Sequence, residues 1–311
     1  MGRTLKIALA GTILAGVAAL STAQAQTPLS AADAAGANGP YSVFTGTIAD
    51  MTWPDVGAQA KAGAVAIWGI AVIEEHGPAM PLGTDTYGAA VTTRLVKADL
   101  EAKGIKSLVV PAFAWGASDS TSVFPGTLSV RPEILTELMV DVFKSLNNTG
   151  FKTVYLIPGH GDAGHNMAIY KAVKRSAKEA GIKAVMVTNA ALATRIGVDP
   201  KDPDLALTAA GPPPAGPPPE FIDGHSGTGE HSNMLAYYPK VVKQDVVPTL
   251  KQAGVTPAKL VDWRKGGQFT LDITPQGYTG DPSKADPVRG RAASLAAAQG
   301  MADAIAANLK K

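Results

Sequence analysis

The sequence predicts an α/β fold: one domain on a mostly parallel sheet, with helices on both faces. Three observations predict it. Nearly unbroken apolar runs of strand length recur along the chain. Each is followed by a loop and then, in most cases, by a segment with apolar residues at helical spacing. The polar clusters begin where two of those apolar runs end, and open parallel sheets bind ligands at the carboxyl ends of their strands.

The first strand is Ala64 to Ile73 (AVAIWGIAVI), apolar enough to be buried on both faces. After the loop EEHGPAMPLGTD a helix is expected from Thr86 to Lys103, ended by Gly104. Ser107 to Phe113 is the next strand, and Phe124 to Val130 a short extended piece. Pro132 then opens a helix in which Ile134, Leu135, Leu138, Met139, Val142, Phe143 and Leu146 share one face, and Gly150 closes it. Thr153 to Ile157 is a strand, residues 166–180 a helix ended by Gly181, and Ala184 to Thr188 a fourth strand. The Ala-rich stretch from Val288 to Leu309 is a C-terminal helix. Gly211 to Glu220 (GPPPAGPPPE) can be neither helix nor central strand and reads as an exposed polyproline-type loop, with a lid over the site as the alternative. No repeat and no linker interrupts residues 46–311, which form a single domain.

The N-terminus reads differently. Arg3 and Lys6 precede an apolar run from Ile7 to about Leu20, followed by Ala23-Gln24-Ala25, a small-x-small cleavage pattern. Residues 1–25 are therefore expected to be a signal peptide and 26–45 a flexible leader. The mature protein is expected to be periplasmic or secreted, with no membrane attachment after cleavage. Without Arg3 and Lys6 the 28 basic residues would fall level with the 26 acidic ones. No basic block offers a nucleic-acid footprint. The chain has no Cys, so disulfides, thiolate metal sites, Cys nucleophiles and lipoprotein acylation are excluded.

All five histidines fall in three short Gly-rich segments that also carry carboxylates. The first is Glu74-Glu75-His76, leading through two Pro and two Gly to Asp85. The second holds His160, Asp162 and His165. The third runs from Asp223 through His225 to Glu230 and His231. Glu74 and His76 stand two apart and project to one side of an extended segment, as do His160 and Asp162. A mixture of anionic oxygen and neutral nitrogen donors suits two divalent ions about 3.5–4 Å apart, and a carboxylate can bridge them. Ions so placed polarise a carbonyl and lower the pKa of water between them, as amide hydrolysis requires. The donors accept Zn or Mn, with Fe possible.

These segments resemble the signatures of the creatininase (creatinine amidohydrolase) family. Glu74 to Asp85 is similar to its opening motif E-x-H-G-P-x-x-P-L-G-T-D, and Gly159 to Asn166 to its N-G-H-x-x-N loop. His225 to Ser232 resembles H-A-G-x-x-E-T-S. Phe124 to Thr127 matches F-P-G-T, and Gly277 to Pro282 matches G-x-x-G-D-P. The resemblance runs from Ala64 to the C-terminal helix, with the motifs in the family's order. It implies a three-layer α/β/α domain and two divalent metal ions per chain. It also implies a small-molecule amide substrate and a homo-oligomer, often a hexamer. Glu74, His76, Asp85 and His160 are implied ligands, with Asp85 bridging. Either Asp162 or Glu230 completes the set. His225 and Glu230 are the implied catalytic groups, with His225 as the proton donor to the leaving nitrogen. Ser118 and Gly161 are the implied substrate-binding positions; Asp223 is a third candidate, with orienting His225 or simply beginning the turn as its alternatives. His165 and His231 depart from the family pattern and are read as outer partners of ligands. Ser120-Thr121 stands where relatives often have Glu-His, and Gly161 where creatininase has an aromatic, so creatinine is not the assured substrate. Glu75 is left as a buried partner or a solvated carboxylate. A metal- or solute-binding protein without catalysis is the alternative class. It would explain export and clustered histidines but has no use for a separate acid–base histidine.

Overall fold

The computed structural model of the chain describes residues 42–209 and 219–311. The expected signal peptide at 1–25, nearly all of the leader at 26–45 and most of the proline-rich stretch lie outside the described residues.

Five strands form one sheet: β1 (Val65–Ile70), β2 (Ser107–Phe113), β3 (Thr153–Pro158), β4 (Lys183–Thr188) and β5 (Leu205–Leu207), in the order β2-β1-β3-β4-β5. Every neighbouring pair is parallel, so the sheet is parallel throughout. The helices are α1 (Trp53–Lys61), α2 (Thr84–Ala102), α3 (Pro132–Thr149), α4 (Ala163–Ala180), α5 (Ala190–Arg195), α6 (Thr228–Tyr237), α7 (Pro257–Trp263), α8 (Gln268–Ile273) and α9 (Pro287–Asn308).

The pleat divides the core between two faces. Ala66, Trp68 and Ile70 of β1 join Val154 and Leu156 of β3 in a cluster with α1, α3 and α4. Val65 and Ile67, with Tyr155 and Ile157, point the other way into a cluster with α2, α6 and α9. Alternation along strands that are buried on both sides gives the three layers. Trp68 anchors the first face, meeting Phe113 and Phe143 edge-on at 6.0 and 6.2 Å. Among the described residues no helix is long and apolar enough to cross a membrane.

Helix starts differ from the sequence reading in ways that matter. Helix α2 begins at Thr84, so Asp85 lies in its first turn. Helix α4 begins at Ala163, because Asp162 Oδ1 accepts the His165 backbone N–H at 2.9 Å and caps it. Glu230 and His231 belong to α6, not to a loop. The expected extended piece at Phe124 to Val130 is not a sheet strand. It is held by single bonds from Leu128 N to Ile73 O and from Val130 N to Gly116 O. Short elements such as α1, α5, α7, α8 and β5 carry too little periodicity to be read from sequence.

The order of strands places the functional crevice. The chain leaves β1 toward β2 on one side and returns to β3 on the other, so the carboxyl ends of β1 and β3 flank the point where the winding reverses. Ile70 and Pro158 are partners across that pair, and Gly159 N donates to Ile70 O at 2.7 Å. The Glu74 and His160 segments therefore emerge side by side.

Candidate functional site

Three segments meet above β1 and β3. Asp85 sits between two histidines: its Oδ1 is 3.3 Å from His76 Nε2 and its Oδ2 is 2.9 Å from His160 Nδ1. Glu74 Oε1 lies 2.9 Å from His160 Nδ1, and Glu230 Oε2 lies 3.6 Å from His76 Nε2. The donors fall into three groups able to hold an ion: Glu74 with Asp85 and His160, His76 with Asp85 and Glu230, and Glu74 with His76 and His225. Asp85 belongs to the first two, with one oxygen turned to each.

The surroundings hold these donors in place. Glu74 Oε2 accepts from Ser118 Oγ at 2.6 Å and from Thr121 Oγ1 at 2.5 Å, which turns Oε1 inward. His76 Nδ1 donates to the Glu74 backbone oxygen at 3.1 Å and leaves Nε2 bare. Glu74 Oε1, His76 Nε2 and Asp85 Oδ2 are all buried without a hydrogen bond. Bare acceptors converging in a buried site repel one another unless protons or cations sit between them. The donor chemistry fits divalent metal ions.

Without ions, protons take that role. Burial opposes charge on His76, but Asp85, Glu230 and Glu74 outweigh it and raise its pKa to about 10. Burial also opposes charge on His160, and the Glu74 and Asp85 carboxylates outweigh it, holding that imidazole well above its usual value. Glu74 is held well below the usual carboxylate range: burial raises it, while His160 and His225 lower it further.

His225 roofs the site. Its ring lies 4.5 Å from the ring of His76 and 5.5 Å from the indole of Trp263. Its Nε2 is 3.0 Å from Glu75 Oε1, and its Nδ1 is 3.7 Å from Glu74 Oε1. Burial lowers its pKa, but Glu74 and Glu75 more than compensate, and the balance is upward. Glu75, left open in the sequence as a buried partner or a solvated carboxylate, is the buried partner of His225. Its Oε2 accepts from Gly77 N at 2.9 Å, and its own N–H donates to Thr127 Oγ1 at 3.0 Å. A Cβ on Gly277, which sits at φ +72, would come within 1.9 Å of Glu75 Oε2. The paired signals were the F-P-G-T threonine and the first glycine of the C-terminal motif, both of which close on Glu75.

Not every sequence candidate reaches the site in the expected role. Asp162 lines the cavity, yet it belongs to none of the donor groups, because its Oδ1 caps α4. That geometry spends one of its two carboxylate oxygens on the cap and favours Glu230 as the fifth donor. Ser118 is fully buried against Glu74 and positions that carboxylate; it does not face the cavity. Asp223 accepts from Thr228 N at 2.6 Å and Gly229 N at 3.2 Å at the start of α6, which turns it away from substrate. Gly227 and Gly280 are glycines for this reason: a Cβ on either would fall within 2.2 Å of Asp223 Oδ1. Gly161 does line the cavity, with open space where a side chain would stand.

His165 accepts from Ala117 N and has Nε2 3.3 Å from Ile70 O. Burial, then the neighbouring His160, push its pKa down to about 3, and it stands edge-on to His160 as a neutral structural ring. His231 has Nδ1 3.0 Å from Gly227 O and is kept neutral chiefly by burial. Ser226, between His225 and Glu230, is the non-glycine residue with positive φ among the described residues, at 48°. Its Oγ donates to His76 O at 2.5 Å and its N–H to Glu230 Oε2 at 2.6 Å, bonds that hold this strained turn across the site.

The donors form the floor of an open cavity of about 490 Å³, walled by Trp263, Ile222, Leu192 and Leu260. Carboxylates and imidazoles at the base of a partly apolar cleft match the architecture of small-molecule sites.

A protein-family model described as "Creatininase: Creatinine amidohydrolase" matches residues 49–305. The mycofactocin precursor peptide peptidase of Mycobacterium tuberculosis (strain CDC 1551 / Oshkosh) is 31% identical over 226 residues, covering 70% of this chain and 75% of that protein. Among solved structures, a creatininase in its manganese form superposes with a TM-score of 0.58 at 23% identity, covering 84% of this chain and 97% of the other. A mutant creatininase of Zn-Zn type superposes at 0.59 and 22%, covering 86% and 98%.

Proposed function

The chain belongs to the creatininase (creatinine amidohydrolase) family, and on that premise we propose that it is a metal-dependent amidohydrolase cutting a C–N amide bond in a small molecule. The observation that carries this reading is the shared carboxylate: Asp85 offers one oxygen to His76 and Glu230 and the other to Glu74 and His160. His76, Asp85 and Glu230 would hold one divalent ion, and Glu74, Asp85 and His160 a second. Zn or Mn suits the donors, and Fe is possible. When bound, two such ions polarise an amide carbonyl and make water a stronger nucleophile at neutral pH.

The chain's own residues supply the rest. Water adds to the carbonyl carbon, the C–N bond breaks, and the leaving nitrogen must gain a proton. His225 holds that proton above the donor floor. Glu75 fixes the ring through Nε2 and favours its charged form, and Trp263 packs against its face. Ser118 and Thr121 hold Glu74 in its inward rotamer. The cavity walls exclude part of the solvent. The products are a carboxylic acid and an amine.

A second reading, cleavage of a peptide bond, is favoured by the name of the Mycobacterium tuberculosis relative. One panel tests both: lactams, creatinine, small formamides and short peptides, assayed with Zn- or Mn-loaded protein, with chelated protein and with His225→Ala. Turnover that needs both the metal and His225 supports the proposal, and the class of substrate turned over decides between the readings. Stoichiometric metal binding with no turnover anywhere in the panel would favour the binding-protein alternative.

Export to the periplasm or medium belongs to the same proposal, supported by Arg3, Lys6, the apolar run and Ala23-Gln24-Ala25; cell fractionation tests it. Homo-oligomerisation belongs to the same proposal, supported by membership of the creatininase family, and sedimentation velocity tests it.

A further inference from the structure

Arg195 and Arg264 stand over the same cavity as the metal donors. Arg195 ends α5, in the connection that follows β4, and Arg264 caps the C-terminus of α7, one residue after the wall residue Trp263. Among the described residues most other arginines have side-chain partners. Arg175 forks onto Glu137 and Glu179, Arg289 meets Asp286, and Arg291 bonds the Ala236 carbonyl. Arg131, which also lacks a partner, does not line the cavity. Among the described residues neither the Arg195 nor the Arg264 guanidinium forms a hydrogen bond or an ion pair, and both side chains are exposed and line the cleft.

Arg195 feels the charge of Arg264. Burial lowers the pKa of Arg195, and Arg264 lowers it further; the neighbouring Asp162 only partly offsets this. Two like charges only partly compensated by one carboxylate are unfavourable, and a further anion between them relieves the cost. Guanidinium groups present planar forks that match a carboxylate. The same cavity is also lined by carboxylates of the protein itself, Glu74, Asp85 and Glu230 among the donors. Once cations neutralise that floor, the arginine pair is the remaining strong field in the cleft.

We propose that Arg195 and Arg264 form an anion subsite, and that the substrate is an amide bearing a free carboxylate on the part of the molecule remote from the scissile bond. This deepens the amidohydrolase reading and rests on it for the word substrate, but the subsite itself can be tested without catalysis. The anion at the rim would orient the amide carbonyl toward the donor floor and the leaving nitrogen toward His225. A lactam or formamide without a charge would bind in no fixed orientation. A short peptide with a free C-terminus would satisfy the pair, as would any acyl-amino acid.

The probe is a matched pair: an N-acetyl dipeptide with a free C-terminal carboxylate, and the same dipeptide as its carboxamide. Both are titrated calorimetrically into the full-length protein and into Arg195→Gln/Arg264→Gln. Both positions are exposed, so the fold should survive, and circular dichroism checks it. The wild type is expected to bind the acid roughly ten- to hundredfold more tightly than the amide, the weight of charge-assisted hydrogen bonds. The double variant is expected to lose that preference. Equal binding of acid and amide by the wild type, or no binding of either, would overturn the proposal. So would a preference that survives in the double variant, because the carboxylate would then be held by the metal floor. Hydrolysis is scored separately: binding discrimination with no turnover of this pair or of any amide in the panel above retains the subsite and rejects the amidohydrolase reading.

Discussion

Replacing Glu230 and Asp162 in turn separates the two candidate fifth ligands. Glu230 Oε2 lies 3.6 Å from His76 Nε2 and shares a donor group with Asp85, whereas Asp162 spends Oδ1 on the His165 N–H. Glu230→Ala removes one of three donors from that group. Losing even an outer partner of a ligand weakens metal binding about 10- to 100-fold, so losing a direct donor should do at least that. At micromolar protein after exhaustive dialysis, the ion held by His76 and Asp85 should wash out, while the one held by Glu74, Asp85 and His160 stays. Metal content by plasma mass spectrometry should fall from about two per chain to about one. Asp162→Ala deletes an N-cap worth about 1 kcal/mol. It should lower the melting temperature slightly and leave metal content as in the wild type. If Asp162→Ala loses an ion and Glu230→Ala keeps both, the ligand assignment drawn from this geometry is wrong.

Three further outcomes are expected. Glu75→Gln keeps the shape beside His225 but removes the charge that favours the imidazolium, so kcat/KM should drop about 10- to 100-fold. The pH-rate limb belonging to His225 should move to lower pH, and an unmoved limb would show that Glu75 does not govern that ring. Gly277→Ala forces a Cβ into Glu75 Oε2 at a left-handed φ, which costs about 1–2 kcal/mol in backbone strain alone. It should lose activity at least as severely as Glu75→Gln and melt earlier; wild-type kinetics in this variant would refute the packing argument. Finally, metal uptake should strengthen with pH. In the stripped protein His76 has its pKa raised to about 10, so its stabilising contribution is complete below pH 6.5 and is lost as pH climbs through 10. Metal must displace such protons, so titrations in buffers of different ionisation enthalpy should report proton release, and an affinity flat from pH 6 to 9 would contradict this.

The class of fold was legible because its signals are local. A run such as AVAIWGIAVI declares a strand buried on both sides, and Pro132 and Gly150 bracket a helix by backbone chemistry alone. The helices α6 and α7 were not legible: they are short, and their sequences serve a site as much as a packing stripe. Glu74, His76, Asp85, His160, His225 and Glu230 were also named from sequence, because histidines and carboxylates cluster in three Gly-rich segments and the resemblance to the creatininase family implied a role for each.

What the sequence by itself determined about this protein is therefore which residues carry donor chemistry and which layer they leave from. Only the tertiary structure decided how their atoms are assigned. Asp162 and Glu230 both bring a carboxylate, and what favours Glu230 is a cap at the start of α4 that occupies Asp162 Oδ1 and the 3.6 Å separation of Glu230 Oε2 from His76 Nε2. Glu75 looked like the outward neighbour of Glu74 until residues 150 positions away closed on it through His225. Arg195 and Arg264 stand in separate elements with no shared motif, and they meet only because the chain folds β4 and α7 toward one cavity. Pattern along a chain reports side and period, whereas partnership depends on distances between segments, which packing alone sets.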